Sequence, residues 1–256
     1  MYNEKFSMHE QLQSMEETAY WWFVGRREIA ENMFRKYIVT EKLSENFKIL
    51  DIGCGMGGEI KWLEQYGDVF AVDPEPQAVY FSKEKAKKPN QVICGALPAE
   101  INFGKIFDCV VALDVLEHIE NDRLSLEFVF NNLLKSGGFL IITVPAYKFL
   151  WSPNDVFNDH KRRYNVRELK SKLEKAGFKI IKLSYYNTLL FMPAFIIKLL
   201  SRVVWGLAPK ATFSKPIPIL NTVFKKMFSF EKYLIKRFNL PFGVSLISIA
   251  KKEIEI

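Results

Sequence analysis

Apolar runs alternate with segments of helical periodicity along most of the chain. Short runs rich in Val, Ile and Phe that end at turn residues predict strands, and the amphipathic stretches between them predict helices. One such helix, over residues 167–178, has Gly177 as its predicted C-terminal cap. Strands that alternate with helices predict an α/β fold with a doubly wound, mostly parallel sheet. The predicted strands lie at residues 47–52, 68–73, 91–94, 107–113, 138–144, 179–186 and 244–252.

A glycine-rich turn follows the first predicted strand. In ILDIGCGMGG, residues 49–58, the strand closes with Asp51, and Gly53 and Gly55 leave no side chain between the turn and a ligand. The next apolar run, VFAV, ends in Asp73, where a second parallel strand offers a carboxylate to the two hydroxyls of a ribose. The two features together predict a cofactor that contains a nucleoside.

The glycines alone do not identify that cofactor. Their spacing also satisfies the G-x-G-x-x-G pattern of dinucleotide-binding proteins, which leaves a nicotinamide cofactor open. Asp51 and the acidic end of the segment FDCVVALDVLEHIEN, residues 107–121, favour S-adenosylmethionine. An anionic group at these positions repels a pyrophosphate but suits a ligand with a sulfonium and an amino group.

Four motifs in this order resemble those of class I S-adenosylmethionine-dependent methyltransferases. They are ILDIGCGMGG, VDPEP, ALDVLEHIE and LLKSGGFLIITVPAY. The resemblance covers residues 20–186 and the final strand, and it includes the bacterial type 11 and type 12 methyltransferase-domain families, some of them encoded with polysaccharide or lipid-linked sugar genes. The ubiquinone-biosynthesis O-methyltransferases are more distantly similar. The resemblance implies a seven-stranded Rossmann-like sheet whose last strand is antiparallel and inserts beside the fifth.

S-adenosylmethionine is the cofactor that the resemblance implies. In similar methyltransferases the segment matching YWWFVGRREIAENMF, residues 20–34, closes over the cofactor, with its first arginine near the cofactor carboxylate. The backbone around Ala96 and Leu97 is expected at the adenine, although Ala96 stands where the family often has an acid. The implied cofactor-binding residues are Arg26, Asp51, Gly53, Cys54, Gly55, Asp73, Pro74, Ala96, Leu97, Leu113 and Asp114.

An oxygen acceptor needs a base, and two histidines are candidates for that role: His118 in DVLEHIE and His160 in NDHKRRYN. The second stretch resembles one in methyltransferases encoded with sugar-polymer genes, which implies that His160, Arg163 and Tyr164 line the acceptor pocket. Alternatively, His160 caps the helix that begins near Asn165, and Arg163 pairs with a carboxylate of the scaffold.

The motif ALDVLEHIE also resembles a stretch of the ubiquinone-biosynthesis O-methyltransferases in which two acids and a histidine bind a divalent cation. The equivalent residues are Asp114, Glu117 and His118, with Asp in place of the usual Glu. At positions i, i+3 and i+4 the three side chains can share one helical face. Since relatives not known for a metal also carry the motif, we assign no metal and interpret Glu117 and His118 as residues that orient the loop.

The length of 256 residues and the 49% of hydrophobic residues suit one domain with an elaboration. The expected parts are a lid segment over 1–46, the cofactor-binding core over 47–186, a basic apolar insertion over 187–242 and the final core strand over 243–256.

The cysteines and the N-terminus favour a cytoplasmic location. Cys54, Cys94 and Cys109 are odd in number and lack C-x-x-C spacing, which argues against a disulfide framework or a zinc site. The first residues lack the pattern of a signal peptide, and no uncharged apolar run reaches the length of about 18 residues that a membrane span needs.

The insertion carries nine basic residues and one acid, so it accounts for the net charge of +7. Its two predicted amphipathic helices lie at 187–208 and 219–238. Lys198 and Arg202 near the middle of the first disfavour a spanning helix and suit one that lies in the bilayer interface. We therefore expect peripheral docking on an anionic membrane or binding of a lipid-tailed acceptor. An apolar lid and a homodimer interface are the alternatives, and the apolar runs are too continuous for nucleic acid.

These features together predict a methyltransferase on the inner face of the membrane. We expect O-methylation of an amphipathic acceptor: a lipid-linked saccharide, a polyprenyl or a quinone-like compound. A cofactor-binding scaffold without turnover and a nicotinamide-dependent oxidoreductase are the alternatives. The intact glycine and acidic motifs count against a scaffold.

Overall fold

The structure is a computed structural model that describes residues 20–41, 43–193, 195–196 and 217–254. The first part of the predicted lid segment and most of the first insertion helix, with Lys198 and Arg202, lie outside the described residues. Short 3₁₀ turns are found at Val39–Glu41, Pro89–Gln91, Leu116–His118 and Lys148–Leu150, and a π turn at Val129–Leu133. The helices are α1 Trp21–Tyr37, α2 Ile60–Leu63, α3 Pro76–Lys85, α4 Asp122–Phe128, α5 Pro153–Phe157, α6 Val166–Lys175 and α7 Pro218–Arg237.

The strands form one seven-stranded sheet in the order β3-β2-β1-β4-β5-β7-β6. The first five pair in parallel, and β7 is antiparallel to both β5 and β6. The predicted Rossmann-like sheet with its antiparallel last strand is therefore confirmed. The fifth strand begins earlier than predicted because Leu134 already pairs with Phe107. The strand bounds are β1 Lys48–Ile52, β2 Asp68–Asp73, β3 Val92–Cys94, β4 Phe107–Leu113, β5 Leu134–Pro145, β6 Lys179–Tyr186 and β7 Ser245–Lys251.

Both faces of the sheet are buried. Successive side chains of a strand point to opposite faces, so Ile49 and Leu50 enter different cores. Ile49 and Ile141 pack with Phe34 of α1 on one face, and Leu50 packs in the cluster of Leu169 of α6 on the other. The chain crosses from one face to the other between β1 and β4, where open α/β sheets bind their ligands beyond the carboxyl ends of the strands.

Helix α6 begins and ends as its sequence predicts. At its start, Glu168 N donates to the Asn165 side chain and Asn165 N donates to the Glu168 side chain, a capping box. At its end, Gly177 has φ +100° and Phe178 N donates to Leu173 O at 3.0 Å. This is a Schellman motif, which confirms Gly177 as the cap.

Helix α7, the second predicted helix of the insertion, packs along α1. A Cβ on Gly25 would lie 2.2 Å from Phe228 Cδ1, so α1 and α7 can approach this closely only with glycine here. Trp21 N donates to Asn221 Oδ1 at 2.9 Å. The buried part of α7 therefore belongs to the same unit as the lid helix α1.

The opposite side of α7 faces solvent. Ile219, Val223, Phe230 and Tyr233 are 71%, 44%, 55% and 58% exposed. Among the residues that the structure describes, no helix combines the length and the apolar character that crossing a bilayer requires. Helix α7 is thus an amphipathic helix with one packed and one open side.

Candidate active site

A cavity of about 560 Å³ lies at the carboxyl ends of β1, β4 and β5. One wall is the glycine turn after β1, and the lid helix α1 lies over it. The facing wall consists of the turn after β4 and the segment 152–163 after β5. The cavity therefore lies where the strand order of the sheet reverses, beside β1 and β4.

The glycine turn offers backbone to the cavity. Gly53 and Gly55 have φ of +68° and +52°, values that favour glycine. A Cβ on Gly53 would also lie 2.5 Å from Val115 Cγ2. Gly53 N donates to Val72 O at 2.8 Å, which ties the turn to β2. The predicted cofactor-binding residues of this turn that line the cavity are Asp51, Gly53, Cys54 and Gly55.

Four other predicted cofactor contacts, Asp73, Pro74, Ala96 and Leu97, do not line this cavity. The Asp73 carboxylate is turned toward backbone, accepting from Gly55 N at 2.8 Å and from Glu75 N at 2.9 Å. In this structure Asp73 therefore braces the glycine turn instead of facing the cavity. The assignment of these four residues to the ribose and the adenine of the cofactor stays a prediction.

Arg26 on α1 lines the cavity, and its contact with a cofactor carboxylate stays a prediction. Its Nη1 donates to Asp114 Oδ2 at 2.9 Å, and its Nη2 donates to Glu59 Oε1 at 3.1 Å. Glu59 also accepts from Trp62 Nε1 at 2.6 Å. Glu59 is not among the predicted site residues, although it is an acid directly after the glycine turn. Through the Arg26 guanidinium, helix α1 is thus joined to both walls of the cavity.

Asp114 is held in place at the tip of β4. Its φ of +57° is uncommon for a residue other than glycine. Asp114 N donates to Thr143 O at 3.1 Å, and Thr143 Oγ1 donates to Asp114 Oδ1 at 2.8 Å. Leu113 and Asp114 line the cavity, and their contact with the cofactor stays a prediction.

The two candidate bases lie side by side on the cavity wall. The ring centroids of His118 and His160 are 4.7 Å apart and the rings meet edge to face. Lys161 N donates to Glu117 O at 2.7 Å, which joins the two loops that carry them. The loss of water around the His118 ring lowers its pKa, and His160 lowers it further. Both rings therefore border the space where an acceptor would approach.

Asp155, which is not among the predicted site residues, organises the segment around His160. Its Oδ1 accepts from His160 Nδ1 at 2.9 Å and from Arg163 Nε at 2.7 Å. The alternative pairing of Arg163 with a scaffold carboxylate is thus found, and Arg163 lines the cavity as well. The available signal was the spacing of Ser152 and Asp155, which is that of a capping box.

Tyr164 does not line the cavity, contrary to the prediction for the acceptor pocket. Its side chain is buried, and its hydroxyl donates to Asp122 Oδ2 at 2.9 Å and to Leu116 O at 3.3 Å. Burial and the Asp122 carboxylate raise the pKa of the phenol. Tyr164 therefore joins β5, α4 and the turn after β4 as part of the core.

Glu117 is fully buried and neither carboxylate oxygen has a hydrogen-bond partner among the described residues. Burial raises its pKa well above the usual range, and Asp114 adds to the rise. Ligand atoms of Glu117, His118 and His160 all lie within 4.8 Å of one another. Asp114, which the resemblance implied as a ligand, is instead held by Arg26 and Thr143.

Residues 26–183 match the family model of a methyltransferase domain. The ubiquinone biosynthesis O-methyltransferase of Bartonella tribocorum is 31% identical over 155 residues, 54% of this chain and 62% of that protein, so the match spans less than two thirds of that relative. The protein of the same name from Rickettsia canadensis is 26% identical over 179 residues, 59% of this chain and 73% of that protein.

A solved S-adenosylmethionine-dependent methyltransferase from Clostridium acetobutylicum has the same fold, with a TM-score of 0.56 at 13% identity over 98% of this chain and 99% of the other. The family match covers more than half of the chain, and it excludes the nicotinamide-dependent alternative. This chain belongs to the methyltransferase domain family and has the fold of the class I S-adenosylmethionine-dependent methyltransferases.

Proposed function

We propose that this methyltransferase transfers the methyl group of S-adenosylmethionine to a hydroxyl oxygen of an amphipathic acceptor. The observation that carries the proposal is the His118–His160 pair on the cavity wall that faces the glycine turn. A hydroxyl must lose its proton as its oxygen accepts a methyl group, and an imidazole is a suitable base near neutral pH. We assign this role to His160, with His118 as the second candidate.

The other residues bind the reactants and exclude water. S-adenosylmethionine supplies the electrophilic methyl group when it is bound. The bare backbone at Gly53 and Gly55 receives its methionine part, and the Asp51 carboxylate favours its positive charges. The lid carries Arg26 toward the cofactor carboxylate and covers the cavity with Trp21 and Trp22. A dry, aligned site suits a displacement in which charge is neutralised.

The relatives support an oxygen as the methylated atom. The Bartonella and Rickettsia proteins are named as O-methyltransferases of ubiquinone biosynthesis, which favours a quinone-like or polyprenyl acceptor. A lipid-linked saccharide has the same two parts, a head with hydroxyl groups and an apolar tail.

The open side of α7 supports a site of action at a membrane surface. Ile219, Val223, Phe230 and Tyr233 follow one another at helical spacing and are exposed. Lys226 and Arg237 continue the same spacing and are exposed too. A helix side that mixes large apolar groups with cations fits the interface of an anionic bilayer. We therefore propose peripheral association through this side, which we call the α7 open face, defined by these six residues.

Two amphipathic probes test the reaction: dodecyl gallate, with phenolic hydroxyls, and dodecyl glucoside, with sugar hydroxyls. We expect S-adenosylhomocysteine and an O-methylated product, seen by mass spectrometry, with at least one of them, and much less with gallate or glucose. His160→Asn should lower kcat by about 100-fold and leave the affinity for S-adenosylmethionine unchanged. Binding of S-adenosylmethionine by calorimetry without turnover of either probe would favour the scaffold alternative.

Sedimentation with vesicles of phosphatidylglycerol and phosphatidylcholine tests the membrane. Lys226→Glu with Arg237→Glu should weaken binding by about 30-fold or more, since each basic residue near an anionic surface contributes about 1 kcal/mol. The matched control reverses Lys61 and Lys83, which are exposed on α2 and α3. Equal binding by both double variants would assign the insertion to a lid or to a homodimer interface.

A further inference from the structure

We infer that Asp155 is a positioning residue for methyl transfer: it holds the His160 ring with Nδ1 protonated, so that Nε2 is free to take the acceptor proton. Asp155 lies on α5, is buried and touches no reacting atom in this assignment, which separates it from a catalytic residue. The inference rests on the proposed role of His160 as the base.

The hydrogen bonds of Asp155 fix which nitrogen of His160 carries the proton. Oδ1 accepts from Arg163 Nε at 2.7 Å, and Oδ2 accepts from Arg163 Nη2 at 2.9 Å. Burial alone would raise the pKa of Asp155, but the hydrogen bonds from His160 and Arg163 outweigh it and hold the pKa well below its usual range. An ionised carboxylate only accepts hydrogen bonds, so His160 Nδ1 is the donor at 2.9 Å. When the ring carries a single proton, its lone pair is then on Nε2.

The carboxylate is itself anchored to the scaffold. Arg163 Nη1 donates to Ala146 O at 3.0 Å, just beyond β5. Ser152 donates to Oδ2 from its backbone N at 2.8 Å and from its hydroxyl at 2.9 Å. His160 N donates to Asp155 O at 2.9 Å, so backbone and side chain hold the same residue. Rotation of the His160 ring would break a charge-assisted hydrogen bond to a fixed partner.

The remaining groups around His160 come from the loop after β4. His118 faces the ring edge to face, and the Glu117 carboxyl lies in the same cluster. Neither is placed to hold Nδ1, because Asp155 already occupies it. The orientation of His160 therefore depends on Asp155 more than on any neighbour across the cavity.

Helix capping is the competing explanation for Asp155. In the capping box of α5, Asp155 reaches back to Ser152, which by itself stabilises the start of a five-residue helix. Capping requires neither the paired contact with Arg163 nor the contact with His160. If Asp155 were only a helix cap, its substitution would lower the stability of the fold and nothing else. If it positions His160, its substitution also changes the tautomer of the His160 ring.

The direct test is the tautomer of His160, read by ¹⁵N NMR of histidine-labelled, cofactor-free protein. We expect the wild type to carry the proton on Nδ1. Asp155→Asn, which can donate to the ring, should shift the population toward the Nε2-protonated tautomer. Ser152→Ala, which removes one hydrogen bond to Oδ2 and leaves the contact of Oδ1 with the ring in place, should leave the tautomer unchanged. An unchanged tautomer in a folded Asp155→Asn protein would overturn the inference.

Kinetics with dodecyl gallate give a second test that does not depend on stability. Asp155→Asn should lower kcat by about 10- to 1,000-fold, with little change in the KM for S-adenosylmethionine. In the His160→Asn background the same substitution should add almost nothing, because both act through one ring. A further loss of equal size in that background would contradict the positioning role. If His160→Asn leaves kcat unchanged, the proposed base is wrong, while the NMR result still decides what Asp155 holds.

Discussion

The two walls of the cavity are built in different ways. The wall after β1 consists of backbone, since the turn at Gly53 and Gly55 is tied to β2 by hydrogen bonds from its own amides. The facing wall consists of side chains, and His160 keeps its place through Asp155 and through the loop that carries His118. In the function we propose, cofactor binding is thus built into the sheet, whereas acceptor chemistry depends on contacts between separate segments. Substitutions in the first wall should alter the affinity for S-adenosylmethionine, and substitutions in the second wall should alter kcat.

The largest effect is expected on the backbone wall. Gly53→Val places a β-branched residue at φ +68° and drives its Cβ into Val115. We expect the affinity for S-adenosylmethionine to fall by more than about 100-fold by calorimetry, because strain and overlap together cost about 3 kcal/mol or more. Gly104→Val is the control, since Gly104 has φ +59° and nothing lies within 4 Å of an added Cβ. Unchanged binding by Gly53→Val would remove the turn from the cofactor site.

Arg26 joins the two walls, so its loss should affect both. Arg26→Ala leaves Asp114 and Glu59 without their shared buried cation. We expect the affinity for S-adenosylmethionine to fall by about 10- to 100-fold, and stability by about 3 kcal/mol, since a buried charge that loses its partner is costly. Arg35→Ala, on the exposed side of the same helix, should change neither quantity. If Arg26→Ala and Arg35→Ala had equal affinity for S-adenosylmethionine and equal stability, the Arg26 contacts would not organise the site.

A smaller effect is expected where the lid meets α7. Gly25→Ala forces Phe228 to move, because its ring lies 2.2 Å from the new Cβ. Overpacking of this kind costs about 1–3 kcal/mol, which urea unfolding measures. Phe228→Leu in the same chain should recover part of the loss. No change in stability on Gly25→Ala would show that α7 is not tightly packed on the lid.

The smallest expected effect concerns the buried acid of the side-chain wall, and it depends on pH. The pKa of Glu117 is raised in the fold by burial and by Asp114. Stability is therefore lost as the pH rises above the unfolded pKa of about 4.3, because the unfolded chain releases a proton that the folded chain keeps. Glu117→Gln stays neutral, so it should raise the unfolding temperature at pH 8 and change it little at pH 4. The exposed control Glu120→Gln should show no such difference.

The difference between the walls also explains what the sequence could predict. The glycine turn, Asp51, the cap at Gly177 and helix α7 were recognisable because each is encoded by neighbouring residues at fixed spacing. The sheet followed from the alternation of these local patterns. Arg26 was recognisable from its motif, but its pairing with Glu59 was not, since the two residues lie in different segments.

Contacts between side chains from distant parts of the sequence could not be predicted from such local patterns. The spacing of Ser152 and Asp155 is that of a capping box, but the hydrogen bond between Asp155 and His160 needs the chain to turn back through Asp159 at φ +55°. Tyr164 was placed at the acceptor pocket because of its motif, but its partner Asp122 is 42 positions away in sequence. Asp73 was predicted to face a ribose, and its carboxylate is engaged by the amide of Gly55. Each of these outcomes is decided by tertiary packing, which periodicity and spacing do not encode.

A crystal structure of the protein with S-adenosylhomocysteine and dodecyl gallate tests the central claim most directly. The two-wall account predicts the homocysteine part against the backbone of Gly53 and Gly55, its sulfur directed across the cavity, and a gallate hydroxyl within about 3.2 Å of His160 Nε2. Cofactor bound elsewhere on the chain, or a gallate hydroxyl remote from both His160 and His118, would contradict it.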